Sequence, residues 1–96
     1  GMDLAPLSLK EAQLMKRPVI ATDVGGNPEM MKDGVTGFLV EKGNHKQLIE
    51  KIKLLLADKK LSEQMGNEGR KFIEETYSWE VATKKFIQIL NSHVKK

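Results

Sequence analysis

The sequence has no cysteine, few aromatic residues and no long apolar run. The absence of cysteine excludes a disulfide framework, a thiolate nucleophile and a cysteine-ligated metal. It also suits a reducing compartment, and we expect a cytoplasmic protein. Only 5% of the residues are aromatic, so the interleaved aromatic side chains that stack on nucleic acid bases are missing. The apolar stretches fall well short of the ~18–20 residues of a membrane span.

The remaining composition is that of a small folded protein. Of the 96 residues, 40% are hydrophobic and 30% are charged, which predicts a globular rather than a disordered chain. The basic and acidic residues are interspersed and leave a formal net charge of only +3. We therefore exclude nucleic acid as a partner, because it would require a concentrated basic patch. Residues 1–2, Gly-Met, resemble the remnant of a tag before a start methionine.

The first part of the chain predicts a helix followed by a strand. Ser8 and Glu11 have the spacing of a capping box, which favours a helix over residues 8–16. Pro18 ends this helix, because the residue before a proline is pushed out of the helical region. The run VIAT, residues 19–22, predicts a short strand of the kind that is buried in a parallel sheet.

The next segment predicts a loop and a second strand. Gly25 and Gly26 indicate the loop. Asn27 is expected to cap a short helix, with the following proline at its first position. Asp33 and the glycine after it indicate the end of that helix or a turn. The run GFLV, residues 37–40, predicts the second strand.

Everything after Asn44 is predicted to be helical, in three helices capped by Asn44, Asp58 and Ser78. The middle helix contains Gly66 and Gly69, each of which costs ~1 kcal/mol relative to alanine. We expect close packing to explain both glycines. The apolar stripes of the first and last of these helices are, respectively, Leu48, Ile49, Ile52, Leu55 and Leu56, and Trp79, Ala82, Phe86, Ile89 and Leu90.

Strands that alternate with helices predict an α/β protein with a parallel sheet. Two short strands cannot bury the faces of five helices, and both sheet edges would stay open. The pattern is that of the second half of an α/β domain rather than a whole one. Open apolar surfaces also favour association, either with a second copy of the chain or with the rest of a longer enzyme.

Several kinds of chemistry are excluded by the motifs. His45 and His93 are far apart, and the chain has no HExxH pattern and no clustered carboxylates, so we expect no metal site. It has no GxSxG motif for a serine nucleophile. It also lacks the GxGxxG and GxxxxGK[ST] phosphate-binding patterns.

Two features have both a structural and a functional interpretation. Glu11 needs no function if it completes the capping box, yet a carboxylate in the first turn of a helix is also a bidentate acceptor for the vicinal hydroxyls of a ribose. Gly25 and Gly26 either make a simple turn or line a cleft with backbone N–H groups for an anionic ligand. The residues alone leave both pairs of alternatives open.

Longer stretches of the chain resemble one family. EA followed by RPVIAT, then GGNPEM, DGVTGFLV and GRKFIEETYSWE, occur in the order and spacing of retaining GT-B glycosyltransferases of the group 1 type. The resemblance runs from about Asp3 to Leu90. It implies two Rossmann-like domains that face each other across a cleft. Residues 3–96 would form the C-terminal half of the domain that binds the nucleotide-sugar donor.

The resemblance also implies roles for individual residues. The E-x7-E motif of the family maps onto Asp3 and Glu11, and its second acid binds the donor ribose, a role that Glu11 inherits. Its first acid lies near the transferred sugar, where Asp3 is one methylene shorter than the usual glutamate. The family's GFGLP-like loop is replaced by LAPLS. Because Pro6 has no N–H to donate, Leu7 and Ser8 are the donor-binding candidates of this loop.

The implied reaction is transfer of a sugar from a UDP- or GDP-linked donor to a glycan or lipid-linked acceptor, without a further cofactor. The acceptor domain and the front half of the donor domain fall outside these residues. We therefore expect the chain alone to be inactive and to bind nucleotide weakly or not at all. The alternative is a non-catalytic, dimerising module derived from the same fold. The basic last helix also suits a peripheral contact of the full enzyme with an anionic membrane.

Overall fold

The computed structural model describes residues 8–93. The expectations for residues 1–2, Asp3 and Leu7 therefore lie outside the described residues. A short 3₁₀ turn, Asn27–Glu29, separates the two strands. The elements are α1 (Leu9–Leu14), β1 (Val19–Thr22), β2 (Gly37–Val40), α2 (His45–Ala57), α3 (Lys59–Thr76) and α4 (Ser78–His93).

The two strands form the parallel sheet that the sequence predicts. Their bounds match the predicted ones, and Val19 pairs with Gly37 at one end and Thr22 with Val40 at the other. The strands approach so closely at Gly37 that a Cβ atom there would overlap the carbonyl oxygen of Val19. Because both strands run in the same direction, the loops that leave their carboxyl ends lie at one edge of the sheet. The α/β fold class is confirmed.

The loop between the strands differs from the prediction at Asn27. Gly26, not Asn27, occupies the capping position of the 3₁₀ turn. The Asn27 side chain instead donates a 2.9 Å hydrogen bond from Nδ2 to the carbonyl oxygen of Thr22. Its amide is thus used to hold the loop against the end of β1. The prediction that Asn27 caps the turn is wrong, because the turn begins one residue earlier and Asn27 is its first residue.

A predicted turn at Asp33 is confirmed and has an additional role. Gly34 adopts a φ of +79° and donates its N–H to the carbonyl oxygen of Gly37 at 2.8 Å. The Asp33 side chain accepts a 2.9 Å hydrogen bond through Oδ1 from the N–H of Leu39, in the middle of β2. The carboxylate therefore fastens the turn to the strand that follows it.

Two of the three predicted helix caps are confirmed. Oδ1 of Asn44 accepts from the N–H of Gln47 at 3.0 Å, and Oδ1 of Asp58 accepts from the N–H of Leu61 at 2.9 Å. The third is displaced by one residue. α4 already includes Ser78, and its first helical hydrogen bond runs from the N–H of Val81 to the carbonyl oxygen of Tyr77.

The predicted close packing at the two glycines of α3 is confirmed, and the structure shows that they approach α1 and a residue just beyond its end. A Cβ atom at Gly66 would overlap the carbonyl oxygen of Lys16, just beyond the end of α1. A Cβ atom at Gly69 would lie 3.1 Å from Cγ of Gln13. Larger residues at these two positions would hold the helices apart, so the glycines set the distance between α1 and α3.

The predicted apolar stripe of α4, as far as the structure describes its side chains, faces solvent instead of the body of the protein. Trp79 is 85% exposed and Phe86 is 61% exposed, whereas Val81, which lies outside the stripe, is buried. On α2, too, Ile49, Ile52 and Leu56 of the predicted apolar face are exposed. The two-stranded sheet does not cover these faces.

Candidate functional site

The first turn of α1 presents the predicted donor-binding acid. Ser8 caps the helix, and its Oγ accepts a 3.2 Å hydrogen bond from the N–H of Glu11. This is one of the two hydrogen bonds of a capping box. The Glu11 side chain is exposed to solvent. A carboxylate that is open to solvent can accept two hydroxyl hydrogen bonds at once.

A groove begins at Glu11 and has a volume of about 360 Å³. It lies where α1, α3 and α4 meet, and its size is within the usual range for a site of a small ligand. Both apolar and charged side chains line it. The residues that line it are Glu11, Leu14, Met15, Arg70, Val81, Lys84, Lys85 and Gln88.

Two of the three groove cations are shared with an acid outside it. Arg70 and Lys85 each lie 3.3 Å from a carboxylate oxygen of Glu74. The hydrogen bond from Lys85, with further help from the charge of Arg70, lowers the pKa of Glu74. Because these pairs are exposed, a polyanionic ligand in the groove could draw both cations away from Glu74 at small cost.

Lys10, the residue before Glu11, connects α1 to the start of α4. Its Nζ donates to a carboxylate oxygen of Glu80 at 2.9 Å and lies 4.1 Å from the ring centroid of Tyr77. The hydrogen bond from Lys10 lowers the pKa of the Glu80 carboxyl. The contact holds the first turn of α4 beside the helix that carries Glu11.

The glycine loop after β1 is exposed and has an explanation in local geometry. Gly25 has a φ of +54°, a left-handed conformation that favours glycine. Gly26 has an ordinary φ, and a Cβ atom at either glycine would contact nothing within 4 Å. Turn geometry therefore accounts for Gly25, while neither geometry nor packing requires a glycine at position 26.

The structure brings together some of the predicted site residues and not others. Ser8 and Glu11 share the first turn of α1, whereas Gly25 and Gly26 do not line the groove at Glu11. Asp3 and Leu7 lie outside the described residues. Sequence reasoning missed the contribution of Arg70 to the groove, and identified Lys84 and Lys85 only as part of a basic face. Arg70, Lys84 and Lys85 are too far from Glu11 along the chain for a sequence motif to connect them with it.

Two further observations concern residues 8–93 alone. No group of three or more histidine, aspartate and glutamate side chains in this part of the chain could hold a metal ion. No helix among these residues has the length and apolar character to cross a membrane.

Comparison with known proteins gives the site its context. The sequence profile described as glycosyl transferases group 1 matches residues 3–72. The chain is 38% identical over 86 residues to the capsular polysaccharide biosynthesis glycosyltransferase CapM of Staphylococcus aureus, covering 90% of this chain and 23% of that protein. It is 34% identical over 87 residues to the poly(ribitol-phosphate) alpha-N-acetylglucosaminyltransferase of Staphylococcus aureus (strain COL), covering 90% and 18%.

A third relative has a different reaction in its name. The chain is 37% identical over 75 residues to an alpha-maltose-1-phosphate synthase of Mycobacterium tuberculosis, covering 72% of this chain and 19% of that protein. The chain thus spans about a fifth of the length of the curated relatives it matches. The profile match covers well over half of the chain and includes both α1, with Glu11, and the whole sheet. The chain therefore belongs to the glycosyl transferases group 1 family.

Proposed function

We propose that this chain is the C-terminal half of the donor-binding domain of a retaining GT-B glycosyltransferase, a hexosyltransferase that uses a nucleotide-sugar donor. The observation that carries the proposal is the exposed Glu11 carboxylate in the Ser8-capped first turn of α1, inside the region that the family profile matches. The names of two relatives, which concern capsular polysaccharide and poly(ribitol-phosphate), favour a glycan or lipid-linked acceptor. A UDP- or GDP-linked sugar is the proposed donor.

In this proposal, Glu11 accepts hydrogen bonds from the two hydroxyls of the donor ribose. A carboxylate has two oxygens at the spacing that a vicinal diol requires. Ser8 fixes the turn that carries Glu11, and the loop at Gly25 and Gly26 offers backbone N–H groups on the anionic side of the donor. Leu7 and Asp3 are the proposed contacts closer to the transferred sugar.

The same proposal accounts for what the chain cannot do alone. Departure of a nucleoside diphosphate requires cations and aligned N–H groups around the phosphates. In the full enzyme, the rest of the protein would supply most of that stabilisation together with the acceptor site. We therefore expect no transferase activity from these 96 residues by themselves. The cytoplasm, where nucleotide sugars would be at hand, is the proposed location.

A second candidate function is a non-catalytic module that forms dimers. Two features favour it: Trp79 and Phe86 are exposed on α4, and the two-stranded sheet pairs with no third strand among residues 8–93. Light scattering distinguishes the candidates in part. A stable dimer at micromolar concentration that does not bind nucleotides would support the module, whereas a monomer would argue against it.

The proposed donor contact is tested by titrating the isotopically labelled chain with UDP and GDP and following its amide NMR signals. We expect shifts around Ser8 and Glu11 with a midpoint weaker than about 1 mM. Glu11→Gln should remove most of this response, because an amide offers one acceptor oxygen instead of two. Glu63→Gln, an exposed acid on α3 outside the groove, is the matched control.

Each result has a defined meaning. Shifts that survive Glu11→Gln unchanged would contradict the role of Glu11. A sub-millimolar midpoint would confirm the site but contradict the expected weakness of the fragment. Release of free sugar or product from a nucleotide sugar by the purified chain would contradict its expected inactivity.

A further inference from the structure

A glutamine occupies a buried position of α1, where an apolar side chain would normally be expected. Gln13 lies on α1, is 0% exposed, and packs through its Cγ against Gly69 of α3. Its Nε2 donates two hydrogen bonds, at 2.9 Å to the carbonyl oxygen of Leu9 and at 2.8 Å to that of Met30. Both N–H groups of one buried amide are thus used, and both bond to main-chain oxygens.

The two carbonyl groups belong to segments far apart in the chain. Leu9 is the first residue of α1, one turn before Gln13, whereas Met30 closes the 3₁₀ turn that follows Gly25 and Gly26. That turn is itself held to the end of β1 by Asn27. The Gln13 amide therefore joins the start of α1 to the segment that leaves the carboxyl end of β1.

A purely space-filling role does not explain this residue. Oε1 of Gln13 is buried and has no hydrogen-bond partner within the described residues. Burying an unpaired acceptor costs free energy, and a methionine or leucine would fill the same space without that cost. The helix also needs a tertiary tie, because six residues are too few to form a stable helix alone.

We propose that Gln13 is a positioning residue, which sets where the Glu11 turn lies relative to the glycine loop at Gly25 and Gly26. The Glu11 turn and the glycine loop are the two parts of the proposed donor site. The Gln13 side chain bonds to Leu9 in the helix of the first part and to Met30, just after the second. The proposal rests on the proposed function for its consequence in donor binding, but the tie itself can be measured without any nucleotide.

The test replaces Gln13 with methionine, which keeps the length and volume of the side chain and removes both hydrogen bonds. Amide hydrogen exchange followed by NMR is the measurement. We expect exchange in residues 25–31 and in the first turn of α1 to accelerate roughly tenfold or more relative to α3, because local ties are lost. Gln64→Met, at an exposed position of α3, should leave this pattern unchanged.

A uniform acceleration over the whole chain would show that Gln13 only stabilises the core, and no acceleration in the loop would show that the tie does not exist. Either result overturns the proposal. If Gln13→Met does not fold, the side-chain amide protons of Gln13 in the unaltered protein decide the question. They should exchange slowly and show proximity to Met30, whereas fast exchange would overturn the proposal.

A UDP titration separates this proposal from the proposed function. If Glu11 binds the ribose, Gln13→Met should weaken the UDP-induced shifts around Glu11 several-fold, while Gln64→Met should not. If the UDP-induced shifts survive Glu11→Gln unchanged, the proposed role of Glu11 fails, and the exchange measurement still decides the role of Gln13. A normal UDP response in a Gln13→Met protein with a loosened loop would overturn the link to donor binding.

Discussion

Helices α1 and α4 both pack against α3, but they are held in different ways. α1 approaches α3 at two glycines and places a fully buried glutamine against one of them. α4 buries Val81 and otherwise turns lysines and a glutamine toward the groove, while its apolar stripe stays in solvent. Helical periodicity is evident in both segments, so periodicity shows which face is apolar but not what covers it.

The difference also predicts how firmly each helix is attached. The contact of α1 depends on close packing, which leaves no room for a larger residue at Gly66. The contact of α4 depends on the buried Val81 and on exposed ion pairs at Glu74 and Glu80. Exposed pairs contribute little to stability, because water and salt screen them. We expect α4 to separate from the body of the protein more readily than α1.

The largest effect is expected for Gly66→Ala. A Cβ atom would overlap the carbonyl oxygen of Lys16, a main-chain atom that moves only with α1. The free energy of unfolding should fall by about 1–3 kcal/mol, although alanine is the better helix former. Urea denaturation measures the change. Asn67→Ala, the next and exposed position of α3, is the control, and an equal loss in both variants would argue against the tight contact.

A smaller effect of opposite sign is expected for Lys16→Gly. Lys16 has a φ of +59°, a left-handed conformation that costs a non-glycine residue roughly 1–2 kcal/mol. Glycine should remove that strain and raise the free energy of unfolding by up to about 1 kcal/mol, after its greater flexibility in the unfolded chain is counted. Lys59→Gly, within α3, should instead destabilise the protein. A loss at Lys16 would show that its conformation is not strained.

A weak pH dependence is expected for the attachment of α4. The hydrogen bond from Lys10 lowers the pKa of Glu80 in the folded protein. Its stabilisation is therefore present above the ordinary glutamate pKa and is lost as the pH falls through the lowered value. Thermal melting followed at Trp79 should show α4 loosening between neutral pH and pH about 3.

Glu80→Gln should flatten this part of the pH profile, and added salt should weaken it. Glu75→Gln, at an exposed neighbouring acid, should leave the profile as it is. An unaltered profile in Glu80→Gln would show that the contact with Lys10 contributes nothing to the position of α4.

The smallest effect on stability is expected for Trp79→Ser. Because Trp79 is 85% exposed, its loss should change the free energy of unfolding of the monomer by no more than about 0.5 kcal/mol. Sedimentation should show weaker self-association if the α4 stripe contacts a second copy. A large loss of stability at high dilution would mean that Trp79 packs within the monomer, which would contradict the contrast between α1 and α4.

The sequence allowed the local features of the fold to be predicted. The strands at 19–22 and 37–40 are short apolar runs bounded by proline and glycine, and the caps at Asn44 and Asp58 depend on residues only three positions apart. Asn27 failed as a cap because the 3₁₀ turn begins one residue earlier than predicted. The two short strands predicted that some helix faces would stay uncovered. They did not predict that the α4 stripe would be one of these faces, because that depends on how the helices pack.

The candidate site, too, has parts that were predictable from local sequence and parts that were not. Ser8 and Glu11 were found from the spacing of a capping box and from a family motif, both of which are local in sequence. The groove brings Arg70 and Lys84 to Glu11 from the other end of the chain. Gln13 gave no signal at all, because a glutamine in a helix is ordinarily a surface residue and only the fold shows that it is buried.

The central claim is that Glu11 recognises the vicinal hydroxyls of a donor ribose. The most direct test compares UDP with its 2′-deoxy counterpart in the NMR titration of the unaltered chain. The two ligands differ by the one hydroxyl that the second carboxylate oxygen would bind. We predict shifts around Glu11 with UDP that weaken several-fold with the deoxy form, and no such difference in Glu11→Gln. Equal responses to both nucleotides in the unaltered chain would contradict the claim.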